Sequence, residues 1–232
     1  MKPINLLLLS LVLATAGCTT TSPGVATMTK ASQAATTPKQ ALQNLKDGNE
    51  RFVAGRPVHR NHLKQVHETA HGQFPFASVV SCLDSRTSTE LIFDQGIGDV
   101  FNARVAGNIA NPDIVGSLEF ASKVAGSKLI AVIGHTHCGA IKGSCDNVEL
   151  GNLTGLLARI KPAVTATPSA SGELRSSKND AFVDRVATTN VRQTMENIRK
   201  SSPILQQMEK DGQIAIVGAM YDIETGKVTF LD

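Results

Sequence analysis

The chain has 232 residues, of which 41% are hydrophobic and 19% charged, and its formal net charge is +3. That composition fits a folded globular chain with room for one sizeable core and excludes a disordered one. The charge is too small for an electrostatic nucleic-acid binder, and 4% aromatics with no Trp exclude a base-stacking platform; no nucleic-acid partner is expected.

The chain opens with MKPINLLLLSLVLATAGCTTTSPG. Lys2 precedes a mostly apolar run from Ile4 to Ala16, and small residues lead to Cys18. The run is too short to cross a bilayer as a helix and has the layout of a secretory signal. Residues 1–17 are therefore expected to be a signal peptide, and the protein to be exported, periplasmic or anchored at the outer membrane. TAGC resembles a bacterial lipobox, in which the cysteine is lipidated and becomes the mature N-terminus. Lipidation of Cys18 and attachment to the membrane are implied by that resemblance, and Thr19 in place of Asp favours the outer membrane. Thr15 stands where Leu is more usual, and a plain signal peptide cleaved nearby is the alternative.

Residues 18–36 are rich in Ser, Thr and Ala without an apolar period and are expected to be a flexible tether. One domain is expected over residues 37–232. It starts at Thr37-Pro38, an N-cap followed by Pro at the first helical position. PKQALQNLKDGNERFVAG then carries Leu42, Leu45, Phe52 and Val53 as a helical stripe ending at Gly55. HRNHLKQVHETAHG reads as a second helix ending at Gly72, FASVVSC as a strand, STELIFDQG as a short helix and DVFNARV as a strand. NPDIVGSLEFASKVAG has Asn111 as cap, Pro112 just inside and Gly126 just after. SKLIAVIGH and QIAIVGAMYD are continuous apolar runs of the kind found in buried parallel strands, and KVTFLD comes after the turn IETGK. Residues 161–180 lack an apolar pattern and are expected to be a mobile loop. AFVDRVATTNVRQTMENIRKSS is one long helix or two. Strands alternating with helices predict an α/β fold, a mainly parallel β-sheet core flanked by helices.

Four cysteines are present. With Cys18 in the leader, Cys82, Cys138 and Cys145 remain, an odd number for an exported domain. A disulfide uses only two of them; the alternative is that some bind metal. FASVVSC ends in Cys82, followed by Asp84 and Arg86, and SKLIAVIGH ends in His135, followed by Cys138. Sites in parallel α/β sheets form at the carboxyl ends of strands, where these residues can converge. Two thiolates and an imidazole make a three-ligand zinc set that leaves one position for water or a carboxylate. Asp84 is the nearest carboxylate, and Arg86 can hold it back by a bidentate pair. A core thiol and a cap-like aspartate account for the same residues singly, and spacing leaves both readings open. Cys145 reads as a buried thiol. His137 is a loop side chain or a proton shuttle, and His67 and His71 read as a solvated helix face.

CLDSR and GHTHCG resemble the C-x-D-S-R and G-H-x-x-C-G motifs of β-class carbonic anhydrases. ALQNLKDGNERFVAG, GQFPFASVVSCLDSR, FNARVAGN, NVRQTMENIRKSSPIL and IVGAMYDIETGKVTFL resemble further family segments in the family's order, so the likeness extends over about residues 38–232. The resemblance implies one zinc ion (Zn2+) per subunit on Cys82, His135 and Cys138, with an Asp84–Arg86 dyad beside it. It implies that Gln73 points into the active site of the partner subunit and that the Gly139 backbone helps to place bicarbonate. The implied enzyme is a lyase that reversibly hydrates CO2 to bicarbonate and a proton by attack of a zinc-bound hydroxide; the implied assembly is a homodimer or a dimer of dimers. Relatives that hydrolyse carbonyl sulfide or carbon disulfide supply an alternative enzyme reading, and a catalytically inactive zinc-binding envelope protein the non-enzymatic one. Some members have an inhibitory bicarbonate pocket and a closed state with the aspartate on zinc, and that pocket uses a Trp three residues before the first ligand. Val79 stands there, and the one Tyr is Tyr221; an open site with water on zinc is expected. Thiolate ligands donate more charge than histidines, so activity is expected to favour alkaline pH.

Overall fold

The computed structural model describes residues 26–231; the signal peptide, Cys18 and the start of the tether lie outside the described residues. Among the described residues five strands form one sheet in the order β2-β1-β3-β4-β5. They are β1 (Ala77–Ser81), β2 (Val100–Arg104), β3 (Leu129–His135), β4 (Ala215–Tyr221) and β5 (Val228–Phe230). The first four are parallel and β5 alone is antiparallel. Ser81 is level with Arg104 on one side and Ile133 on the other. Cys82, one residue past β1, and His135, the last residue of β3, therefore emerge at the same edge of the sheet.

Every residue of β1 and β3 is buried, because helices cover both faces. Alternate residues divide between them. Val79, Ala131 and Ile133 pack with Ala41 and Leu45 of α2 (Pro38–Val53). Val80, Ile130 and Val132 pack with Val191 and Ile198 of α8 (Asp180–Ser201) and Leu205 of α9 (Pro203–Lys210). Two glycines let α8 approach this closely. A Cβ on Gly134 of β3 or on Gly218 of β4 would fall 2.7 Å from a Val191 methyl. The remaining helices are α1 (Lys30–Ala35), α3 (His62–Thr69), α4 (Thr89–Ile92), α5 (Pro112–Glu119), α6 (Gly139–Cys145) and α7 (Gly151–Ala166). No described helix is long and apolar enough to cross a membrane.

Two expectations are corrected. Ordered structure starts inside the expected tether: α1 is capped by Thr29 and Ser32 in a reciprocal box. It docks through buried Gln33, whose amide donates to the carbonyls of Pro75 and Ala125, both at 2.8 Å. The anchoring contact is polar, so no apolar period announces it. The expected loop at 161–180 is also shorter and better held than its composition implies. Helix α7 continues through Pro162 to Ala166. Arg175 then ties down the segment after the helix, donating to Thr167 O at 2.9 Å and Ser169 Oγ at 2.7 Å and lying 4.8 Å over the Phe182 ring. One guanidinium does there what a row of apolar residues does elsewhere.

Candidate metal centre

Cys82, His135 and Cys138 meet at the carboxyl edge of the sheet, all buried, with their ligand atoms within 4.8 Å of one another. β1 delivers Cys82 and β3 delivers His135. A tight turn at Thr136-His137, with His137 at φ +55°, brings Cys138 back as the N-cap of α6. The two sulfurs are 4.0 Å apart, far beyond a disulfide bond, and Cys82, Cys138 and Cys145 are all free.

The donor chemistry fits zinc. His135 Nδ1 lies 2.9 Å from the Thr136 carbonyl; a carbonyl only accepts, so Nδ1 carries the proton and Nε2 presents its lone pair. Nε2 is buried with no hydrogen-bond partner among the described residues, a costly state in an apolar surround unless a cation takes the lone pair. The hydrogen bond from the Cys138 thiol holds the Cys82 thiol well below its ordinary range, against the opposing effect of burial. The hydrogen bond to Cys82, burial and the Cys82 charge push Cys138 up. A divalent ion held by both sulfurs would displace their protons.

Asp84 stands beside this cluster, its Oδ2 3.9 Å from His135 Nε2. Arg86 grips it through three donors: Nε to Oδ1 at 2.9 Å, a terminal nitrogen to Oδ2 at 2.7 Å, and the backbone N–H to Oδ1 at 2.9 Å. The Arg86 guanidinium holds the Asp84 carboxyl well below the usual carboxylate range. The loop carrying both is braced by residues that the motif does not contain. Thr87 Oγ1 donates to the carbonyls of Cys82 and Asp84, and Arg104 donates from the end of β2 to the same two carbonyls. A charged residue closing the strand DVFNARV was the one sequence sign of Arg104. The Gly107 N–H lies 3.4 Å from Cys82 Sγ.

Gly139 is the first residue of α6, exposed, with open space where a Cβ would stand. Gln73 is exposed and precedes the amino end of β1, so it lies across the sheet from the Cys82 of its own chain. His137 latches neighbouring elements. Its N–H donates to Asp184 at 3.0 Å, and its ring nitrogens lie 3.2 Å from Asp180 and 3.4 Å from Glu224. His67 and His71 are exposed. Cys145 is buried among Ile141, Leu157 and their neighbours, and burial pushes its thiol up. Val79 is fully buried in the core.

The family model for carbonic anhydrase matches residues 77–228. Carbonic anhydrase 2 of Mycobacterium tuberculosis is 34% identical over 203 residues, which cover 85% of this chain and 94% of that protein. The carbonic anhydrase of Mycolicibacterium smegmatis is 35% identical over 193 residues, covering 82% of this chain and 92% of that one. Among solved structures, the β-carbonic anhydrase CcaA matches with a TM-score of 0.67 at 26% identity, over 82% of this chain and 87% of its own.

Proposed function

This chain belongs to the β-carbonic anhydrase family, whose reaction is the reversible hydration of CO2, and we propose that the pocket around Cys82, His135 and Cys138 carries it out with one zinc ion per chain. The observation that carries the assignment is the buried, unpartnered Nε2 of His135 facing two buried thiols. Zinc, when bound, supplies the Lewis acidity that makes a nucleophile of water near neutral pH.

The chain's own residues do the rest. Thr136 O fixes the His135 ring through Nδ1 and so aims Nε2. Asp84, kept ionised by Arg86, can only accept; it accepts a hydrogen bond from the attacking water and so turns a lone pair toward the carbon of CO2. Arg86 occupies both carboxylate oxygens and so restrains Asp84 from becoming a ligand. The N–H of Gly139, open on its outer side, donates to an oxygen of bicarbonate. The proton released leaves to buffer.

Gln73 of the partner subunit completes the substrate pocket in this reading, in a homodimer or a dimer of dimers. Its support is the position of Gln73 across the sheet from its own centre. Leu83, beside Cys82 and 61% exposed, and Leu91 of α4, 65% exposed, are apolar surface that a second subunit would cover. The leader supports export and lipidation at Cys18: Cys18→Ser is expected to move the protein from the membrane fraction to the soluble one, and unchanged fractionation would count against the anchor.

Turnover of CO2 and of carbonyl sulfide, compared on the zinc-loaded protein, tests the reaction. Fast CO2 hydration with slow or absent carbonyl sulfide hydrolysis is expected. Hydrolysis of carbonyl sulfide without CO2 hydration would replace this reading, and zinc binding with neither activity would make the chain a binding protein.

A further inference from the structure

Cys82 Sγ accepts a hydrogen bond from a place the zinc motif does not include. The donor, Gly107 N–H, lies in the short turn Ala106–Asn108 after β2. Gly107 has φ +70°, and a Cβ there would fall 2.5 Å from Ile160 Cδ1. Only glycine fits the conformation and the space together. The turn is held from its other side by Asn190 of α8, whose Nδ2 donates to Gly107 O at 2.7 Å. Asn190 is 2% exposed. The residues beside it on α8, Val186, Ala187, Val191 and Thr194, are buried too. An amide buried among aliphatic side chains is costly unless bonded, and the bond it makes is to a residue whose own N–H reaches the thiol.

We propose that Asn190 is a positioning residue for the metal centre: it pins the Gly107 carbonyl so that the Gly107 N–H donates to Cys82 Sγ. The inference rests on the reading of Cys82 as a zinc ligand. An N–H to a thiolate is a charge-assisted bond. It fixes the direction of the sulfur and withdraws part of the charge that the sulfur would pass to the metal. Two thiolates make an electron-rich ligand set, and this bond moderates one of them. It also ties the centre to α8, the helix that packs on β3 and β4.

Asn190→Leu removes the donor and keeps much of the volume. The cobalt(II)-loaded protein reads the consequence without any turnover. Loss of the Gly107 bond is expected to move the sulfur-to-cobalt charge-transfer band to lower energy and, as for other groups that support metal ligands, to weaken zinc binding by about 10–100-fold in competition with a chelator. Thr194→Val, on the same helix and also buried, is expected to change neither. A wild-type band and affinity in Asn190→Leu would overturn the proposal, as would equal changes in Thr194→Val, which would mark a general effect of disturbing α8. If Asn190→Leu does not fold, the unaltered protein loaded with cadmium-113 still decides: a scalar correlation between the Gly107 amide proton and the metal is expected across Cys82 Sγ, and its absence overturns the link. A chain that binds cobalt without thiolate charge transfer would remove the zinc reading itself, and this inference with it.

Discussion

Asp84 and Arg86 divide the work of one carboxylate between two requirements. In the proposed reaction Asp84 must be charged and close to the reacting water, yet must not take the metal's open position. The three-donor grip of Arg86 meets both, because it favours the ionised form and occupies the oxygens. Asp84→Asn is expected to retain zinc at one ion per chain while lowering kcat by roughly 10²-fold or more; metal analysis and stopped-flow hydration on the same sample check this, and an unchanged rate would contradict the role. The residues of this site were legible in the sequence where they are local. Cys82, Asp84 and Arg86 lie within one turn, and His135 and Cys138 straddle another. FNARVAGN marked the segment of Arg104 and Gly107, but their contacts with Cys82 were not legible, because that reach depends on the register that sets Ser81 beside Arg104. No periodicity within a single segment encodes that register.

At the scale of elements, the fit of α8 on the sheet and the fastening of the segment before α3 carry separate predictions. Gly134 and Gly218 leave room for Val191, so Gly134→Val is expected to destabilise the fold by about 1–3 kcal/mol through overpacking, measured by urea denaturation. Asp94 comes just after α4 and binds the chain before α3. It accepts from Arg51 Nε at 2.5 Å, from Arg60, and from the Val58 N–H at 3.2 Å. Burial raises the Asp94 pKa, but the Arg51 and Arg60 guanidiniums and the Val58 amide outweigh it, and the net shift is downward. A carboxylate whose folded pKa is depressed contributes stability that is present above its unfolded pKa of about 3.9 and is lost as pH falls through the folded value. Asp94→Asn is therefore expected to cost roughly 3 kcal/mol at neutral pH and to flatten the loss of stability below about pH 4. Denaturation curves at pH 7 and pH 3 check it, and a mutant that keeps the wild-type acid dependence would contradict it. The strands and α2, α5 and α8 were readable from apolar runs and caps. Helix α1 and the end of α7 were not, because Gln33 and Arg175 secure them with polar contacts.

At the scale of the whole molecule, β2 is an edge strand with no second neighbour among the described residues. Beside it lies a cavity lined by Phe101, Ala103, Pro112 and Phe120. Phe120 is 52% exposed and Val124 72%. An apolar surface next to an open edge is where a second copy would add most. Phe120→Asp is accordingly expected to shift the sedimenting species toward monomer and, in the proposed reading in which Gln73 of the partner subunit completes the pocket, to lower activity; a variant that stays fully associated and active would contradict that placement. The α/β class could be read from strands alternating with helices, whereas assembly depends on surfaces whose exposure only the folded chain defines. The central claim is that the cysteine–histidine–cysteine centre hydrates CO2, and stopped-flow hydration by the zinc-loaded protein at alkaline pH, beside Cys138→Ser, tests it most directly. Fast turnover that disappears together with bound zinc in Cys138→Ser is expected; a fully zinc-loaded protein that leaves the uncatalysed rate unchanged would contradict it.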